Sequence, residues 1–349
     1  MCEFCTKHGE GKEWYLKMRN YSQELLSLDG RREHIAAFFQ DFEARVARSL
    51  SMLDAIQALP FVPDVVSRVA TARQKKEHFG QVVPIEDVDS ILDMVDSIVR
   101  LPCACRSLTT GRREARYCYG LGVGASATDS ISHFPDYGEN LERLTREEAR
   151  EAIHGLDQEG LVHSVWTFGT PFIGGLCNCD QDCVAYRLQV SSGMMQVFFP
   201  AEYVATVDWD RCTGCKQCRA QCPFGAIRYT ASQDKCVIEP ALCYGCGLCR
   251  AVCKQDAVRL EPRRRVFRWQ RRAGATQRHR VTVQPCQDAR NCRACIEVCP
   301  SRVLGMVPRQ ERASGLRAGD WVVRALTPSR CTGCAACVDA CPEGAIAVA

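Results

Sequence analysis

The chain has 349 residues, a formal net charge of +4, 46% hydrophobic and 25% charged residues. That balance excludes a disordered or low-complexity chain and suits two or three domains. It holds 25 cysteines, and secreted disulfide scaffolds with that density are short chains behind a signal peptide.

The start of the chain, Cys2-x2-Cys5-x2-His8, leaves two fates open, a mobile tail or a metal contact completed elsewhere. Covalent haem needs C-x-x-C-H, which this spacing excludes. The first twenty residues hold no apolar run, and no stretch of 18 uncharged apolar residues occurs. The expectation is a cytoplasmic protein with no membrane span, whose thiolates bind metal.

Residues 9–102 contain no cysteine. Ile35, Phe38, Phe39, Phe42, Val46, Leu50, Leu53 and Ile56 recur at three- and four-residue steps, which predicts a helix ended by Pro60 and Pro63. Val65 to Phe79 is polar and mixed. Ile85, Val88, Ile91, Leu92, Val95 and Val99 predict a second amphipathic helix. Residues 1–100 therefore read as a helical region that packs on the rest or docks a partner.

Tyr119-Gly-Leu-Gly-Val-Gly124 imitates a nucleotide loop, but no apolar strand precedes it. It is expected to be a tight turn near a metal site. Thr145 with Glu148 forms a capping box, opening a helix to about Leu156 that Gly160 stops. Leu161 to Phe168 alternates as a strand does.

The chemistry concentrates in residues 212–341, with seventeen cysteines. Copy one is Cys212-x2-Cys215-x2-Cys218-x3-Cys222-Pro223. Copy two is Cys243-x2-Cys246-x2-Cys249-x3-Cys253, and copy four is Cys331-x2-Cys334-x2-Cys337-x3-Cys341-Pro342. This is the bacterial ferredoxin run, in which the fourth cysteine ligates the neighbouring cluster. Copy three departs from it, as Cys286-x5-Cys292-x2-Cys295-x3-Cys299-Pro300, with Ala289 at the regular first position. Either a bulge lets Cys286 ligate, or a three-cysteine cluster with a labile iron results. Zinc sites take paired CxxC groups, often with histidine, and fit this order poorly.

Four [4Fe–4S] ligand sets follow: Cys212, Cys215, Cys218 and Cys253; Cys243, Cys246, Cys249 and Cys222; Cys286, Cys292, Cys295 and Cys341; Cys331, Cys334, Cys337 and Cys299. Cys236 falls outside the runs and reads as a buried inert thiol.

Residues 205–349 thus resemble tandem bacterial-type dicluster ferredoxin domains. Residues 101–190 resemble a companion domain of some ferredoxin-like iron–sulfur proteins. The matching residues are Cys103-Ala-Cys105-Arg106, Cys118, Gly160-Leu-Val-His163 and Cys177-Asn-Cys179 with Cys183. If the backbone is extended, Cys103 and Cys105, or Cys177 and Cys179, are not expected to share one iron. One cysteine of each pair with Cys118 and Cys183 would make four. A fifth centre, a set of buried thiols and a redox-active dithiol stay open. His163 reads as a core histidine before a ligand.

The fold class expected is α+β: a helical region (1–100), a cysteine-rich α/β domain (101–200), a dicluster module (201–262), an arginine-rich linker or hairpin (263–285) and a second module (286–349). Each cluster with its four thiolates adds roughly two negative charges, so the bare charge is no nucleic-acid signal. The eight arginines of 262–285 read as a solvated hairpin or a docking surface for an acidic redox partner rather than a nucleic-acid site. The function expected is a multi-cluster electron-transfer protein or subunit of anaerobic metabolism. Its partner would be a flavoprotein or reductase subunit. The alternative is an iron–sulfur oxidoreductase whose active site is the Cys103–Cys183 centre, with Asp180, Asp182 and His163 as acid–base candidates.

Overall fold

The computed structural model describes residues 12–22, 24–25, 30–40, 64–122, 141–191, 195–231, 233–263, 281–286, 289–299, 303–308, 321–326 and 335–348, with 44, 48, 51 and 331 singly. Cys2, Cys5, His8, Cys334 and most of the arginine-rich stretch lie outside the described residues, as does most of the expected helix beyond Gln40. The chain divides into two compact units. One comprises Met1–Tyr203 with Tyr244–Ala251, the other Val204–Cys243 with Val252–Ala349.

The first unit is built on a seven-stranded sheet. Its strands are β1 (Gly80–Val82), β2 (Ile98–Leu101), β3 (Cys118–Leu121), β4 (Glu142–Leu144), β5 (Val162–Thr167), β6 (Ile173–Cys179) and β7 (Phe198–Phe199). Their order across the sheet is β4-β2-β3-β6-β5-β1-β7. All pairs are antiparallel except β1 with β7. β1 and β2 come from the segment read as helical, so 1–100 and 101–200 contribute to one sheet.

Two helices pack in its core. Ile85–Met94 buries Val88, Ile91 and Leu92, and Arg146–Gln158 buries Ala149 and Ile153. They share that core with Tyr119, Val165 and Leu176. The helix expected to run to Val99 ends at Met94, and Val99 lies on β2, where the backbone turns extended from Val95. Asp64–Glu77, polar and mixed in sequence, is helical. The capping box forms in both directions: Glu148 N–H donates to Thr145 Oγ1 at 3.2 Å and Thr145 N–H to Glu148 Oε2 at 2.8 Å. Tyr119–Gly124 is not a tight turn at its start. Residues 118–121 form the whole of β3, and the chain bends at Gly122, where φ is +63°; Val123 and Gly124 lie outside the described residues.

The second unit repeats one plan twice. In each module the first strand pairs with the last, and an inner hairpin lies between them. β8 (Tyr203–Val207) pairs with β11 (Val258–Pro262), and β9 (Ile227–Thr230) with β10 (Lys235–Ile238). In the second copy β12 (Val281–Val283) pairs with β15 (Ile346–Val348), and β13 (Leu304–Pro308) with β14 (Trp321–Ala325). Ala294, Val298, Leu304, Val323 and Ile346 fill the core of that copy. Among the described residues, no helix is long and apolar enough to cross a membrane.

Candidate metal centres

The ferredoxin-type loops share a backbone signature that the cysteine spacing alone does not contain. The residue after the second cysteine is left-handed in all four copies: Lys216 (φ +65°), Gly247 (+88°), Arg293 (+49°) and Ala335 (+55°). Left-handed backbone at a non-glycine residue is uncommon. Its recurrence marks a turn the loop requires, because only a sharp reversal brings cysteines three residues apart around one centre. Gly214 (φ +67°) serves the same loop, and a Cβ there would run into Asp234.

A second signature sits at the fourth cysteine. The amide of the residue four positions on donates to its sulfur in every copy. Ala226 N–H reaches Cys222 Sγ at 3.4 Å and Ala257 reaches Cys253 at 3.3 Å. Val303 reaches Cys299 at 3.3 Å and Ala345 reaches Cys341 at 3.2 Å. Ala205 N–H likewise donates to Cys243 Sγ at 3.4 Å. Amide donors aimed at sulfur stabilise thiolate charge and tune a cluster's potential. The donor set and its hydrogen bonds therefore fit iron–sulfur clusters.

Cys212, Cys215, Cys218 and Cys253 line one small cavity of about 20 Å³. Cys236 lines it too, 1% exposed and hydrogen-bonded to Cys218. The residue read as inert thus lies against the first ligand set, a contact made by β10 pairing with β9 and invisible in the spacing. Burial, then Cys236, pushes the Cys218 thiol up to about 12. In the second module, Cys286, Cys292, Cys295 and Cys341 lie within charge range of one another. Ala289, at the regular first position, is buried in the core instead. Burial pushes Cys295 up to about 11. Thiols held protonated in the metal-free chain release protons when metal binds. Cys222 lies within charge range of Cys243, and Cys243, Cys246 and Cys249 are buried.

The companion segment brings all six of its cysteines to one cavity of about 210 Å³: Cys103, Cys105, Cys118, Cys177, Cys179 and Cys183. The register explains why. Cys118 stands directly opposite Cys177 on β3 and β6, with Sγ atoms 3.7 Å apart. Cys177 and Cys179, two apart on β6, share one face, because alternate residues of a strand point the same way. Both therefore line the same cavity, whether or not the pair shares one iron. Cys103 is not in an extended pair either, since it caps the helix Ala104–Thr110.

Five of the six thiols form a hydrogen-bonded network, with Cys105 beside it. Bonds from Cys118 or Cys183 draw the Cys103 thiol down, and bonds from Cys177 or Cys183 do the same for Cys179. The donors Cys118, Cys177 and Cys183 are raised by those hydrogen bonds, and Cys105 is raised by burial.

Arg106, without a role in the sequence reading beyond its place in C-x-C-R, is 1% exposed beside them. Its Nη1 lies 3.8 Å from Cys103 Sγ and donates to the Asn178 carbonyl at 3.3 Å. Its Nη2 pairs with Asp180 Oδ2 at 2.8 Å, and the guanidinium lies 3.6 Å over the Tyr117 ring. Burial opposes its charge, but Cys183, Asp180 and Cys103 outweigh that and hold it above its ordinary value. Asp180 is thereby the ion-pair partner of a buried arginine, with its own side chain partly exposed.

His163 stands opposite Asn178, on the other face of β6 from Cys177 and Cys179. Its Nδ1 lies 2.6 Å from Asn178 Oδ1 and its Nε2 3.2 Å from Asp157 Oδ1. It braces the Cys-Asn-Cys strand from behind and does not line the thiol cavity. Among the described residues, no three His, Cys, Asp or Glu side chains gather as they would around a single metal ion.

Residues 286–345 match the 4Fe-4S dicluster domain, and residues 205–228 the 4Fe-4S binding domain. The C-terminal region carries ferredoxin-type iron–sulfur domains. Neither match reaches residues 101–190. No curated protein matches the chain.

Proposed function

We propose that the chain is an electron-transfer protein or subunit with four [4Fe–4S] centres in its two ferredoxin modules and a fifth in the six-thiol cavity. A bound cluster takes or gives one electron without making or breaking a substrate bond. The observation that carries the reading is the amide-to-sulfur hydrogen bond repeated at the fourth cysteine of all four copies. The chain's own residues supply thiolates, exclude water and aim N–H dipoles at sulfur. Cys286 takes the first ligand place in the third copy, being the thiol within charge range of Cys292, Cys295 and Cys341. The partner is a redox protein, of flavoprotein or reductase type, and no nucleic acid is involved. Iron and acid-labile sulfide per chain test the count. Anaerobically purified protein should hold about 20 iron atoms, and about 16 if the six thiols bind no cluster. Zinc without sulfide would refute the reading altogether.

The alternative, an oxidoreductase with its active site at the 103–183 centre, is favoured by one feature: the cavity continues past its thiols.

A further inference from the structure

The six cysteines occupy only one end of their cavity. Along β6 the lining runs from Gly174 to Cys179, five steps of about 3.3 Å, or roughly 17 Å. Cys177 and Cys179 stand at one end of that run, with Cys118 opposite Cys177. At the other end Gly175 faces Gly120 on β3 and Trp166 on β5, with no thiol in the row.

The wall over this second end is aromatic. Phe38, His78, Trp166 and Phe168 all line the cavity. His78 lies 4.4 Å from Phe38, 4.8 Å from Trp166 and 4.8 Å from Phe168, measured between ring centroids. Phe38 meets Phe168 edge-on at 5.4 Å. His78 is fixed by donating from Nδ1 to the Thr167 carbonyl at 2.7 Å. Trp166 can lie close over β1 because residue 80 is glycine, where a Cβ would sit 2.8 Å from the indole. No Asp, Glu, Lys or Arg is among the described lining residues.

We propose that this ring-walled end is a binding slot for a small uncharged molecule with one aromatic ring, lying beside the thiol-held centre. An apolar cavity of about 150 Å³ stays dry and takes up benzene. Here about 210 Å³ is shared between the thiol end and the slot. Aromatic rings pack on one another edge-to-face or offset at centroid distances of about 4.5–7 Å, the spacing this wall already uses. The absence of Lys and Arg from the lining disfavours carboxylates and phosphates, whose desolvation no cation there would offset. The slot deepens the reading of a fifth centre and rests on it for what the ligand would meet.

The experiment is a ¹⁹F NMR titration of full-length, iron-loaded protein with fluorobenzene, alongside iron per chain on the same sample. One saturable site is expected. Ile35→Phe, which fills the slot from a lining position packed with Phe38, Phe168 and Phe172, should weaken it at least tenfold with iron content unchanged. Phe38→Ala should instead admit 1-fluoronaphthalene, which the wild type excludes. If protein with about 20 iron atoms shows no saturable binding, the cluster takes the whole cavity and the slot is wrong. Binding that neither substitution alters places the probe elsewhere and equally overturns it. A count of about 16 iron atoms refutes the fifth centre separately; the slot is then still decided by whether Ile35→Phe weakens the probe.

Discussion

Arg106 shows how much one side chain can add to the proposed fifth centre without ligating it. It is a buried cation touching Cys103, and it ties the Asn178 carbonyl and Asp180 back to the first cysteine pair. Reduction adds a negative charge to a thiolate-held cluster, so a nearby cation favours the reduced form and raises the potential. If the proposed fifth centre is present, Arg106→Gln should therefore lower its midpoint potential and leave those of the ferredoxin modules where they were. EPR-monitored redox titration reads this directly. A uniform shift of all signals, or no shift with full iron, would remove Arg106 from that role. Part of the effect will be structural. Breaking a buried pair costs about 3–5 kcal/mol, reduced here to about 1–3 because Asp180 is 38% exposed and solvent screens it. Arg106→Lys, keeping the charge, should recover most of the potential.

At the scale of an element, the first turn of the helix Ile85–Met94 is held by a buried carboxylate. Asp87 accepts from Tyr15 Oη at 2.6 Å and from Tyr203 Oη at 3.2 Å. Burial pushes its carboxyl up to about 6; the two tyrosine hydroxyls pull it back down, and Glu13 and Glu86 add to the rise. The folded-state value lies above that of the unfolded chain, about 3.9. Its stabilising contribution is thus fully present below about pH 4 and is lost as pH rises through about 6. Two units correspond to about 3 kcal/mol at most. Asp87→Asn keeps the acceptor and removes the titration. The Tm of wild type relative to this variant should fall between pH 5.5 and pH 7.5, a comparison that cancels acid effects common to both. A difference that stays flat with pH would show that the carboxylate is not desolvated as the fold implies.

On the scale of the whole molecule, Arg263 stands apart from the rest of the arginine stretch, for which docking is a proposal. Arg263 is buried and donates to the Cys243 carbonyl, so it belongs to a cysteine loop rather than to a solvated docking face, as it was first read. Arg263→Gln should perturb the visible spectrum of the clusters. Replacing Arg264, Arg265, Arg268, Arg271 and Arg272 with glutamine should leave that spectrum alone and slow electron delivery from a partner at low salt only. Charge steering is screened within about 10 Å at 0.1 M ionic strength. Stopped-flow rates that match wild type at every salt concentration would exclude docking through these residues.

The ferredoxin loops were legible because their ligands are local. Three cysteines within seven residues, a glycine before the second and a proline after the fourth carry the loop in one short window, and both family matches fall on such windows. The Thr145–Glu148 cap was legible for the same reason, its partners being three residues apart. The thiol cavity was not. Its cysteines come from positions 103, 105, 118, 177, 179 and 183, and only the pairing of β3 with β6 sets Cys118 against Cys177. The same pairing decides which face each side chain takes. It puts Cys177 and Cys179 toward the cavity and leaves His163, paired with Asn178, outside its lining. Strand register is a long-range property: a slip of one residue would reverse every side chain, yet leave the linear spacing of the cysteines unchanged. For that reason residue identity and spacing specified the iron–sulfur chemistry of residues 205–349, while the assembly of six thiols, one arginine and four rings into a single site was decided by the sheet.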